Sequence, residues 1–366
     1  MSYYILIFGW LLLMLVFMQV SNSHRTEYVL ERPKQCPKWF VAIMVFLPVI
    51  IWAGVRDAWI GDTGAYMTTY AGLPNTFGGL VNYLPEVNKD KGFTILSVLI
   101  KIIVGDNVVK YFLILAILQG MAVVSLYRKY SNQYIVSIFL FIASTDYLSW
   151  MFNGMRQFTA VSLIILATKW TLDKKYIKSI AVVLFASTMH GSALLVLPFI
   201  FLAQGKAWNR KTVLIIVGTI VIVACIDQFV PFLDTMLADT QYKNVVSDWE
   251  SWNDNGTNAI RVFVYSLPTI ISFIGRKRIQ YIDDPLINFC TNMSIVSACL
   301  YVVSMFTSGI FIGRLPIFFS LYNYILLPWE IENYFERRSA QIITILMVVC
   351  YLGFYYFQVH FAWGLM

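Results

Sequence analysis

Residues 150–204 read WMFNGMRQFTAVSLIILATKWTLDKKYIKSIAVVLFASTMHGSALLVLPFIFLAQ, and the fold class turns on them. Three apolar runs, 158–170, 177–189 and 193–203, are joined by short polar joints. Each run has about 11–13 residues, roughly 17–20 Å of helix at about 1.5 Å per residue. A bilayer core is about 30 Å thick, so three such helices side by side do not all reach both surfaces. The joint 173–175 is basic; the other two carry Asn153, Arg156 and Gln157, and His190 and Ser192. With the basic joint at the cytoplasmic surface, Arg156 and His190 lie below the outer surface. Charged groups at that depth are unfavourable unless they face a water-filled or ligand-filled cavity.

Working outward, the whole chain has the same character. Of 366 residues, 59% are hydrophobic and 13% charged, and the mean hydropathy is +0.68. Soluble domains average about 45–50% apolar and about 25% charged. The expected fold is therefore all-α and polytopic, one membrane-embedded domain over residues 1–366. The net charge of +7 reflects where Lys and Arg sit about a membrane and does not imply a nucleic-acid partner. The five cysteines show no paired spacing and read as free thiols. No histidine lies in a metal-binding pattern, and neither a metal nor another cofactor is expected.

Reading in order, 3–20 and 39–55 are apolar enough to span, with a basic loop, 21–38, between them. A long outward loop, 56–91, leads to the amphipathic segment 93–104, expected to lie at the outer interface. Further spans are expected at 108–127, 134–150, the three short runs, 212–229, 260–275, 286–306, 315–329 and 341–358. This gives about twelve spans with both termini outside. Most of the 27 Lys and Arg fall at inward joints, such as Arg128–Lys129, Lys174–Lys175, Arg276–Lys277–Arg278 and Arg337–Arg338. A second long outward loop, 230–259, is rich in Asp, Asn and Trp.

Cations that defy this bias need a reason. Arg56, Arg156, Arg261 and Arg314 each stand at the outer end of an apolar run. A guanidinium binds pairs of phosphate oxygens in a fixed fork and stays protonated, so together they suggest an outward anion site. Snorkelling or pairing with a neighbouring acid is the alternative for any one of them. An unperturbed imidazole suits proton transfer near neutrality, so His190 is either a proton-transfer group or a buried histidine hydrogen-bonded at a helix turn. Asp62, between Gly61 and Gly64, is either a carboxylate presented by a tight turn or a cap. Trp249 and Trp252, among acids and amides, suit sugar stacking or an interfacial aromatic belt.

In order, the motifs are Arg56-x5-Asp62-x3-Tyr66, Asn153-Gly-Met-Arg156-Gln157, Met189-His190-Gly-Ser192-Ala193, Arg261, and Gly313-Arg314 leading into Phe318–Phe319. This pattern resembles the EpsG / Wzy-like family of bacterial polysaccharide polymerases over about residues 50–335. Family members often have Pro at Gly191 and Tyr-Phe at Phe318–Phe319. The resemblance implies a GT-C-like glycosyltransferase at the outer face of the cytoplasmic (inner) membrane. Its substrates would be undecaprenyl-diphosphate-linked glycans, polymerised into O-antigen or exopolysaccharide, with a chain-length regulator as a possible partner. Arg56, Arg156, Arg261 and Arg314 would hold the diphosphate. His190 or Asp62 would be the general base. Asn153, Gln157, Ser192, Tyr66, Trp249 and Trp252 would contact the rest of the substrate. A lipid-linked oligosaccharide flippase or other transporter would also need cations in a cavity, but no internal repeat supports it. An O-antigen ligase would differ in its acceptor.

Overall fold

A computed structural model describes residues 2–237 and 254–365. The described chain is mostly helical and divides into two compact units. The first comprises Met1–Thr171, Lys175–Leu194 and Arg337–Met366; the second, Leu172–Lys174 and Leu195–Glu336.

The first unit opens with α1 (Ser2–Val20) and an antiparallel hairpin, β1 (His24–Val29) with β2 (Arg32–Pro37). The hairpin corrects the reading of 21–38 as a loop; the other elements of the described chain are helical, as expected. Its register places Arg25 opposite Cys36 and Glu27 opposite Lys34. Next come α2 (Trp39–Val55), α3 (Thr63–Gly72), α4 (Phe77–Tyr83), α5 (Lys91–Val104) and α6 (Val108–Tyr130). Residues 56–91 are thus largely helical, not a loop. The α2 and α6 backbones approach closely because two glycines leave room. A Cβ at Gly54 would lie 2.9 Å from Leu113, and one at Gly120 2.8 Å from Ile50, a small-residue contact typical of membrane helices. The Asn107 side chain accepts from the Lys110 N–H to cap α6, whose last turn carries Arg128 and Lys129.

The expected single span 134–150 is broken. Helix α7 (Tyr134–Ala143) turns 71° into a π-helical segment, Tyr147–Asn153. Thr145 takes a positive φ of 59° at the bend, where the 4-residue ladder gives way. Helices α8 (Met155–Leu166), α9 (Thr168–Leu172) and α10 (Tyr176–Met189) follow, and α19 (Arg337–Phe357) completes the unit.

The second unit holds α11 (Val196–Leu202), α12 (Arg210–Ala224), α13 (Ile226–Leu237), α14 (Ala259–Ile274), α15 (Arg276–Ile282), α16 (Pro285–Met305), α17 (Ile317–Ser320) and α18 (Asn323–Tyr334). Helix α16 is its core. Asp284 caps it by accepting from the Leu286 and Ile287 N–H groups, and Asn292 donates to the Ala203 carbonyl at 3.0 Å.

Among the described residues, four helices are long and apolar enough to cross a membrane: Tyr3–Val20, Val108–Tyr130, Pro285–Met305 and Arg337–Ala362. Counting three bent pairs as single spans raises this to seven. Four shorter apolar helices are Trp39–Val55, Met155–Leu166, Tyr176–Met189 and Gly191–Leu202. The protein is a helical polytopic membrane protein.

Candidate functional site

A cavity of about 340 Å³ opens in the first unit. Asp62, Tyr66, Thr69 and Tyr70 of the α3 region form one wall, and Lys89, Asp90, Phe93, Thr94 and Ser97 of the α5 region another. Tyr111 of α6 and Arg156 of α8 complete it. Three sequence-predicted residues, Asp62, Tyr66 and Arg156, therefore share one hollow, and two cations and two carboxylates face it with hydroxyls and phenols.

The polar centre is an ion pair. Arg156 Nη1 donates to Asp90 Oδ2 at 2.8 Å. The Asp90 side chain is 4% exposed and that of Arg156 35%. Asp90 precedes the first residue of α5 with φ +54°. Its other oxygen, Oδ1, is buried without a hydrogen-bond partner. Burial pushes the Asp90 carboxyl up, while Arg156, the Gly191 backbone N–H facing it, and Lys89 pull it down. Gly92, two residues on, lets α5 lie against the end of α10: a Cβ there would stand 2.2 Å from Thr188 Oγ1. This contact puts the turn after α10 beside Asp90. In that turn His190 Nδ1 lies 2.7 Å from Ser192 Oγ. His190 and Ser192 are half-buried and are not among the residues lining the cavity.

Asp62 is held from the other side. Its backbone N–H donates to Asn153 Oδ1 at 3.0 Å. Gly61 takes φ +54° and packs on the same side chain, where a Cβ would meet Asn153 Oδ1 at 3.0 Å. Asn153 thus positions Asp62. Gln157 is buried on α8. Arg56 is enclosed: 4% exposed, donating to the Met151 carbonyl, with its guanidinium 4.0 Å from the Phe112 ring and 5.2 Å from that of Phe152. Burial pulls its pKa down to about 10, which leaves it charged at neutrality. It lies behind the cavity wall rather than on it.

In the second unit, Arg261 is half-buried on α14 with its guanidinium 5.5 Å from the Tyr265 ring. Arg314 is half-buried and ends the short turn Ile312–Arg314. That turn follows a loop built on Asp254, whose carboxylate accepts from Ser308 Oγ (2.8 Å) and the N–H groups of Gly256, Gly309 and Ile310 (2.9–3.0 Å). Trp249 and Trp252 lie outside the described residues.

Asp90 is the charged wall residue that sequence reasoning does not single out; its one signal is an Asp two residues before Gly92, at the start of an amphipathic run.

Fold and site define a polytopic helical membrane protein with a charged, hydroxyl-rich hollow sized for a small polar group. The chain belongs to the EpsG family, whose model matches residues 39–364 and so takes in every predicted site residue. No curated protein and no solved structure matches it.

Proposed function

We propose that the protein polymerises lipid-diphosphate-linked oligosaccharide repeat units at the outer face of the cytoplasmic membrane. Family membership makes a polysaccharide-polymerase role the natural starting point. The observation that carries the reading is Arg156 on the wall of a polar cavity that also holds Asp62. A guanidinium there would grip the donor diphosphate and stabilise its charge as the glycosidic bond to it breaks. The acceptor hydroxyl forms the new bond to the sugar carbon and gives its proton to a base. Of the two candidates, Asp62 has the support of lying on the cavity wall. His190 is offered through the adjoining turn, with Ser192 orienting its ring. Asn153 holds Asp62, and Arg56 stiffens the segment that carries Asn153. The roles of Arg261 and Arg314 in holding diphosphate, and of Gln157, Tyr66, Trp249 and Trp252 in holding glycan, rest on the family resemblance.

The test is polymer length in membranes containing Arg156→Ala, Asp62→Asn or His190→Gln protein at matched abundance. Loss of polymer is expected from Arg156→Ala and from at least one of the other two. Normal ladders from all three would end the proposal.

A further inference from the structure

Asp90 is the one buried carboxylate on the cavity wall, and the proposed transfer does not use it. We propose that Asp90 is the resident anion of the cavity: it holds Arg156 until a ligand diphosphate displaces it, and it takes up one proton in the exchange. This rests on the reading of Arg156 as the diphosphate-binding residue and adds how that residue is held and released.

Three observations support it. The Asp90–Arg156 pair faces the cavity, with Arg156 the more exposed member, so an entering anion reaches the guanidinium directly. The cavity charges balance, Lys89 and Arg156 against Asp62 and Asp90, so a diphosphate adds uncompensated negative charge beside a carboxylate. And Asp90 has little room to retreat. Its backbone is fixed at φ +54°, and α5 is seated on Thr188 through Gly92. What remains is to neutralise it, and Oδ1, buried and without a partner, is where the proton would sit.

The sign follows. Burial already favours the neutral acid, and Arg156 is the strongest opposing influence. A diphosphate that takes Arg156 removes that influence and adds negative charge, so the carboxyl rises further and a proton is bound with the anion. One O–H bond forms at Asp90, the proton coming from solvent. Affinity should therefore rise as pH falls between the bound and free values. The groups facing Asp90 are Arg156 of α8, Lys89 from the preceding loop and the His190 turn after α10. Asp62, Tyr66 and Tyr70 stand across the cavity from the α3 side, and Tyr111 from α6. His190, in that turn, is also ionisable, and His190→Gln serves as its control.

The experiment uses full-length protein in nanodiscs of neutral phosphatidylcholine, with inorganic pyrophosphate and farnesyl diphosphate as probes. Calorimetry in buffers of different ionisation heat counts protons. Asp90→Asn suits the site, because Asn is the non-glycine residue most at ease at positive φ. Wild type should take up about one proton more than Asp90→Asn, the protonation change of pyrophosphate itself being common to both. Asp90→Asn should bind pyrophosphate about tenfold more tightly at neutral pH, while His190→Gln keeps the wild-type uptake. Weaker or unchanged binding in Asp90→Asn, or undiminished uptake, overturns the exchange. Arg156→Ala should lose binding; if it binds like wild type, the diphosphate reading of Arg156 itself fails. Preference for farnesyl diphosphate over pyrophosphate assigns the ligand to a lipid carrier, and equal affinity to a free diphosphate.

Discussion

Arg128 and Arg156 are both held by carboxylates, and they are held very differently. Arg128 is 3% exposed. It donates through Nε to the Pro37 carbonyl at 2.7 Å and through Nη1 and Nη2 to both oxygens of Glu27, and it stacks 4.3 Å from Trp39. This bidentate, enclosed guanidinium ties the hairpin to α6. Arg156 gives Nη1 to one oxygen of Asp90, leaves the other oxygen unpartnered, and stands a third exposed on a cavity wall. A structural arginine is closed on all sides; one kept for a ligand shows its partner and itself to the space the ligand would fill. Charge and neighbouring residue types do not separate the two. Enclosure does.

The largest effect expected from that contrast is on transfer. Arg156→Ala should lower polymer formation by about 10²-fold or more, the range for losing one preorganised stabilising group, with little loss of folded protein. Arg156→Lys should recover part of it, keeping charge but losing the fork. Polymer assays normalised to membrane protein check both; a variant that fails to accumulate in the membrane would place Arg156 with Arg128 instead.

Glu27→Gln should do the reverse. It leaves Arg128 buried without its counter-charge, costing about 1–3 kcal/mol while transfer per folded molecule stays unchanged. Thermal unfolding in detergent measures it. The hydrogen bond from Arg128 holds the Glu27 carboxyl below its usual range. Its contribution is therefore present above the unfolded carboxylate pKa and is lost as pH falls through the depressed folded value. Wild type and Glu27→Gln should converge in acid and differ at neutrality.

How much of this was readable beforehand follows the same division. The apolar runs and their basic joints announce helices and a membrane, because burial in lipid demands long apolar helices whatever the partner. Asn153, Arg156, Asp62 and Tyr66 were legible as polar groups at run ends, and Asp62, Tyr66 and Arg156 do share the cavity. The hairpin was not: its strands pair with each other and Arg128, carry charge throughout, and contain Pro33 and Pro37. Nor was the bend after α7, where Ser144, Thr145 and Asp146 interrupt an apolar run without Gly or Pro to mark it. Asp90 was hidden because its burial depends on α10 reaching Gly92, a contact between residues far apart in the chain.

That contact gives an intermediate test. Gly92→Ala would set a methyl against the Thr188 side chain and carbonyl, and overpacking of this kind costs about 1–3 kcal/mol. If α5 shifts to relieve it, Asp90 leaves Arg156, and transfer should fall by more than the stability loss explains. Equal falls in both would mean that the pair tolerates the shift.

The smallest effect is expected at Arg56, which the sequence groups with Arg156. It is caged by Phe112 and Phe152 and donates to the Met151 carbonyl, with no carboxylate paired to it among the described residues. Replacing a buried charge with an apolar side chain of similar length is often close to neutral, since the desolvation penalty goes with the charge. Arg56→Met should therefore change stability by no more than about 1 kcal/mol. Polymer formation should stay within about threefold of wild type, a change of well under 1 kcal/mol in the barrier. The Met151 carbonyl loses its donor in this variant, so a modest loosening of the segment that carries Asn153 is the expected residue of the change. Abolished polymer from well-folded Arg56→Met protein would show that enclosure does not mark an arginine as structural in this fold, and the distinction drawn from Arg128 would fail with it.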